Sequence, residues 1–122
     1  MPKVLVVDDE KVIADSLVRI LALSNYEASA VYSGEDSVEA AMRLKPDVVL
    51  TDVVMGLMSG VVAAIIIRRA LPECRVILFS GEPQTSSMLD DAASKGHRFE
   101  ILAKPIHPNA LLEYLSNGKS IT

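Results

Sequence analysis

The chain has a single cysteine, Cys74, which excludes an internal disulfide. With no partner for metal binding or catalysis, it reads as an inert thiol near a strand start. Basic residues are not in excess: 12 Lys and Arg against 16 Asp and Glu leave a net charge of −4. A nucleic-acid surface usually needs a basic patch, so direct nucleic-acid binding is not expected. No apolar run approaches the ~20 residues that span a bilayer. The run after Lys3 is too short for a signal peptide. Repeats, low-complexity tracts and linkers are also missing. What remains is a chain of 122 residues that is 50% hydrophobic, enough for one compact core. The expectation is one soluble, cytoplasmic domain spanning residues 1–122, without membrane contact.

The apolar residues come in alternating patterns. Short runs recur as VLVV at 4–7, ASAV at 28–31, VVLT at 48–51, VILF at 76–79 and EILA at 100–103. Between them lie stretches of helical length. Ile13, Leu17, Ile20 and Leu21 repeat at helical spacing. Ser33 is a candidate N-cap for a helix with Val38, Ala41 and Met42 on its apolar face, stopped at Lys45-Pro46-Asp47. The segment 86–95 reads as a helix closed by Gly96, and Pro108 opens a last helix carrying Leu111, Leu112 and Leu115. The run 61–67 is rich in β-branched residues and resembles a strand. It is assigned to helix, because parallel strands need a helical crossover and Arg68-Arg69 before Pro72 resembles a helix end. A helix this apolar buries more than one face or makes an oligomer contact, and the core is the preferred reading. Five strands alternating with five helices predict a three-layer α/β/α sandwich around a parallel sheet.

In such a sheet every strand ends at one edge, where ligands bind. The first run ends at Asp8-Asp9, the third at Asp52, the fourth at Ser80 and the fifth at Lys104. Adjacent carboxylates repel, and burial raises that cost, so a cation is implied. Three carboxylates in a wet, shallow site suit Mg²⁺. A cation, an ammonium and a hydroxyl together make a cradle for a phosphoryl group, with Asp52 best placed as its acceptor.

VVDDE at 6–10, LTDVVMGLMSG at 50–60, LFSG at 78–81 and AKP at 103–105 together resemble the receiver domain of two-component response regulators, over essentially the whole chain. The resemblance implies a CheY-like, flavodoxin-like sheet in the order 2-1-3-4-5. It implies that Asp52 is phosphorylated by a sensor histidine kinase or phosphotransfer protein. Asp9, Asp52 and the Val54 backbone carbonyl would then bind Mg²⁺ directly and Asp8 through water, with Ser80 and Lys104 on the phosphoryl oxygens. The Lys104–Pro105 bond would be cis. Phosphorylation would draw in Ser80 and the 81–84 loop. That would alter the face formed by the fourth helix, fifth strand and fifth helix, which docks a downstream protein target. The protein would be a monomer or a weak phosphorylation-dependent dimer.

Three departures from the family pattern stand out. Gly56 replaces a usual proline. Ile101 stands where an aromatic switch residue is usual, with Phe99 two residues earlier on the same strand face. Val54 is apolar where a polar residue is common, and with Glu82 it would flank the phosphoryl group and influence attack by water.

Taken singly, each residue has a plainer meaning: Asp8-Asp9 as a helix cap, Ser80-Gly81 as turn chemistry, Asp90-Asp91 as a solvated face. His97 and His107 read as surface loop residues, and Met55 and Met58 as loop packing. Two other functions compete with the signalling phosphoacceptor. A Mg²⁺-dependent aspartyl phosphohydrolase needs a second acid at position 54 and room for a cap domain. A receiver-like scaffold acting without phosphate has no use for the acidic trio.

Overall fold

The computed structural model describes residues 1–81, 93, 95, 96 and 99–116. Glu82, Asp90, Asp91, His97 and most of the segment 86–95, expected to be a helix, lie outside these. Five strands, β1 (Lys3–Val7), β2 (Glu27–Val31), β3 (Val48–Asp52), β4 (Arg75–Ser80) and β5 (Glu100–Ala103), form one sheet in the order β2-β1-β3-β4-β5. Every pairing is parallel. The five apolar runs are these strands, extended by a residue at one or both ends in β1 to β4.

The interior strands β1, β3 and β4 are buried on both faces, which is why they read as continuous apolar runs rather than alternating ones. Alternate residues face opposite layers. Val4, Val6, Leu50, Ile77 and Phe79 pack with Ala14, Leu17 and Leu21 of α1 (Lys11–Leu23) and with Leu111 and Leu115 of the last helix, Pro108–Ser116. Leu5, Val7, Val49, Val76 and Leu78 face α2 (Gly34–Leu44) and α3 (Gly60–Ala70). Side chains as fully buried as Leu50, Ile77 and Phe79 each contribute roughly 1.5–3 kcal/mol.

Helix boundaries follow local chemistry. The Ser33 hydroxyl accepts from the Asp36 N–H at 3.0 Å, and α2 ends before Lys45, which adopts a left-handed φ of 50°. The Ser59 hydroxyl caps α3 by accepting from the Val62 N–H at 3.2 Å. Gly96 has φ 91° and donates to the Ala93 carbonyl at 3.0 Å, the geometry of a helix-closing glycine. The β-branched run is helical, because its place between two parallel strands overrides local propensity. Its core reading is only partly right: Val61, Ala63, Ala64 and Ile67 are buried, but Val62 and Ile66 are not. Met42, placed on the apolar face of α2, is 36% exposed as well. Among the described residues no helix is long and apolar enough to cross a membrane.

Candidate functional site

The carboxyl edge of the sheet gathers the chemistry-bearing residues. Asp8 follows β1 and is fully buried; its Oδ1 accepts from the Glu10 N–H at 2.9 Å, at the start of α1. The positive end of that helix offsets part of the negative charge beside it. Asp9 is exposed. Asp52 ends β3 and is 7% exposed. One carboxylate oxygen from each of Asp8, Asp9 and Asp52 lies within 4.8 Å of the others. An octahedral Mg²⁺ shell is roughly 4 Å across, so the three acids fit such a cation after drawing in slightly.

Lys104, immediately after β5, reaches into this cluster. Its Nζ lies 3.2 Å from Asp52 Oδ2 and 3.4 Å from Asp8 Oδ2. The Lys104–Pro105 peptide bond is cis. Burial raises the Asp52 pKa above the ordinary carboxylate value; Lys104 pulls against this and Asp8 adds to it. Burial opposes the charge on Lys104, but Asp52 and Asp8 outweigh it and raise its pKa. One ammonium, paired with Asp8 and Asp52, therefore stands in a cluster of three carboxylates, and the site has a standing demand for positive charge.

Ser80 ends β4, half-buried, one step beyond Phe79, which is in register with Asp52. The Ser80 carbonyl accepts from the Lys104 N–H at 3.1 Å, so the hydroxyl-bearing and ammonium-bearing residues are tied by backbone. Val54 lies two residues past Asp52, 43% exposed, on the loop that leads to α3. That loop is anchored where the Gly60 N–H donates to the Val53 carbonyl at 2.8 Å. A Cβ on Gly60 would overlap the Asp52 carbonyl oxygen and lie 2.8 Å from its carbon. Glycine is required there by close approach of the backbone.

Phe79 had no role in the sequence argument. Its ring lies 5.1 Å from Lys104 Nζ and forms a floor under the ammonium. The β3–β4 register pairs Phe79 with Asp52 and so puts both on one face of the sheet, which no sequence pattern announces. Together with Glu10, Ile13, Leu17, Lys104, Pro105 and Ile106, Phe79 lines a recess of about 390 Å³ beside the acids.

The residues around the site also account for the outliers. Ile101 is 47% exposed. Phe99 packs against the α2–α3 side of the core, with the Arg68 guanidinium 4.6 Å from its ring centre. Met55 is buried in that core layer. Cys74 is buried and free, its thiol pKa pushed up by burial to about 11, which leaves it inert. His107 is exposed, and its Nδ1 accepts from the Asn109 N–H at 3.2 Å at the start of the last helix.

Comparison with known proteins agrees with this geometry. Residues 4–116 match the model of the response regulator receiver domain. The chain is 30% identical to the chemotaxis protein CheY of Thermotoga maritima over 115 residues, covering 93% of this chain and 94% of that one. It is 31% identical to the transcriptional regulatory protein HptR of Staphylococcus aureus over 109 residues, 87% of this chain but 42% of that longer protein. The structure of Vibrio cholerae CheY4 superposes with a TM-score of 0.84 at 25% identity, covering 96% of this chain and 98% of that one. Parallel strands in the order 2-1-3-4-5, an acidic edge and a match along nearly all its length place this chain in the receiver domain family of two-component response regulators.

Proposed function

We propose that Asp52 is the phosphoacceptor of this receiver domain, and that a sensor histidine kinase or phosphotransfer protein supplies the phosphoryl group. The observation that carries the reading is the position of the Lys104 ammonium, 3.2 Å from Asp52 and 3.4 Å from the fully buried Asp8. A structural ion pair needs one carboxylate, whereas this ammonium meets two, with a third, Asp9, in the same acidic cluster.

In the transfer, an Asp52 oxygen attacks the phosphorus of a donor phosphohistidine. The P–O bond forms as the P–N bond breaks, and the imidazole nitrogen keeps the electron pair and takes a proton. Asp9, Asp52 and the Val54 carbonyl, with Asp8 through water, would hold Mg²⁺, which would supply neutralisation of the charge on the phosphoryl oxygens. Lys104 binds one of those oxygens and the Ser80 hydroxyl donates to another. Phe79 keeps the ammonium from withdrawing toward the sheet.

The domain comprises residues 1–122, acts in the cytoplasm without binding nucleic acid directly, and passes its signal to a protein target through the fourth helix, β5 and the last helix. It is not a turnover enzyme: position 54, where a phosphohydrolase needs its second acid, holds Val54.

The test is intact-mass spectrometry after exposure to acetyl phosphate and Mg²⁺. One labile phosphoryl adduct is expected on the wild type, none on Asp52→Asn and none in EDTA. An adduct that persists in Asp52→Asn would overturn the assignment.

A further inference from the structure

The outer surface of α2 and α3 bears apolar side chains that neither the core nor the acidic site uses. On α3, Val62 is 47% and Ile66 38% exposed, one helical turn apart; on α2, Met42 is 36% exposed. The two helices descend from the same sheet edge, since each follows the carboxyl end of a parallel strand. They also run in step. A Cβ on Gly34, the first residue of α2, would lie 2.7 Å from the carbonyl oxygen of Met58, just before α3. Met42 lies eight residues into α2 after Gly34, and Val62 and Ile66 lie two and six residues into α3 after Gly60.

The charges on this face are segregated along the helix axes. Glu35, Asp36 and Glu39 are exposed toward the upper end, and Arg43 and Arg69 toward the lower end. None of these five side chains is engaged in an ion pair among the described residues. The face therefore has an apolar waist, an acidic end and a basic end. Such a surface is complementary to itself when turned by a half-rotation about an axis that lies in the face and crosses the helices. That operation places α2 against α2 and α3 against α3, each pair antiparallel. The acidic half of one α2 then meets Arg43 of the other, and the apolar stretch Val62–Ile66 of one α3 lies against the same stretch of the other. A parallel arrangement would stack like charges.

We propose that the α2–α3 face is a two-fold self-association surface whose occupant is a second copy of this chain. The contact is isologous, the commonest kind in homodimers. With about three half-exposed apolar side chains per copy it falls in the small, transient class of interfaces. A dissociation constant between about 10 μM and 1 mM is expected. The proposal does not depend on the phosphoacceptor reading, because the face does not include the acidic cluster.

Sedimentation equilibrium over a concentration series, in EDTA and without phosphodonor, reads the outcome. The weight-average mass of the wild type rises toward that of a dimer. Ile66→Lys stays monomeric with an unchanged melting temperature, because position 66 is outside the core. Glu39→Arg and Arg43→Glu each weaken association by about fivefold or more, because each sets like charges opposite one another at two symmetry-related places. An equimolar mixture of these two variants recovers association, since the heterodimer restores opposite charges at both. A wild type that remains monomeric throughout overturns the proposal. So does an Ile66→Lys variant that associates as the wild type does, or a mixture that associates no better than its components.

Discussion

Gly60 is the first residue of α3, where helix propensity alone favours alanine over glycine by about 1 kcal/mol. The structure predicts the opposite result for Gly60→Ala. An added Cβ would overlap the Asp52 carbonyl oxygen, with the Asp52 carbonyl carbon at 2.8 Å and Val53 Cα at 3.0 Å. All three are backbone atoms and cannot rotate away. The Thr51 hydroxyl already donates to the same carbonyl at 3.0 Å, so the end of β3 is held from another direction. Relief requires the start of α3 to move off the strand, which also stretches the 2.8 Å bond from the Gly60 N–H to Val53. Overpacking against backbone costs about 3 kcal/mol, which the propensity gain reduces to a net loss of about 2 kcal/mol. For a chain of this length that lowers the melting temperature by about 6–10 °C. Gly56→Ala is the control: nothing lies within 4 Å of its added Cβ and its φ is ordinary, so it gains about 0.4–1 kcal/mol. Urea and thermal unfolding followed by circular dichroism measure both. A Gly60→Ala protein as stable as the wild type would refute the argument, whatever Gly56→Ala does.

Asp52→Asn in EDTA is more stable than the wild type at neutral pH. Burial raises the Asp52 pKa, so the ionised carboxylate weighs against the fold above that pKa. The gap narrows on acidification and closes below about pH 4, where the unfolded aspartate is protonated too; thermal unfolding across pH checks it, and a constant gap contradicts it. Glu100→Gln is less stable by about 1 kcal/mol at neutral pH, because Arg75 grips Glu100 through two bonds of 2.8 and 2.7 Å and the Tyr114 hydroxyl adds a third at 2.8 Å. Arg75 lowers the Glu100 pKa, so this stability is present above about pH 4.3 and is lost as pH falls through the folded value; urea midpoints at pH 7 and pH 3 compare the two. Val54→Asn shortens the life of the phosphorylated state several-fold, because a polar side chain at this half-exposed position orients water that valine does not; an unchanged decay rate of the adduct contradicts this.

The fold was legible because burial on both faces writes an interior parallel strand into the sequence as an unbroken apolar run. VLVV, VVLT and VILF each match a strand to within a residue at either end. The gathering of Asp8, Asp9, Asp52 and Lys104 followed from topology: parallel strands deliver their last residues to one edge whatever separates them in the chain. What the sequence hid depends on three-dimensional register. Phe79 under Lys104 requires knowing that β3 and β4 pair Asp52 with Phe79. The Arg75–Glu100–Tyr114 cluster joins two strands and the last helix, and no local pattern announces it. The apolar run on α3 was misjudged in part because composition reports how much of a helix is apolar but not which side faces outward. Ile66 and Ile67 differ by a single step in sequence, yet one is 38% exposed and the other fully buried.

The sheet order has a mechanical consequence. Asp52 hangs from β3, which is laced to a neighbour on each side, whereas Lys104 hangs from β5, a four-residue margin stitched, among the described residues, to β4 alone. Dislodging the first means tearing two seams, and dislodging the second means loosening one short one. Acceptor and clamp thus differ in stiffness by construction, so tension arising between them is relieved outward, through the hem of the sheet, while the seat of the chemistry holds still.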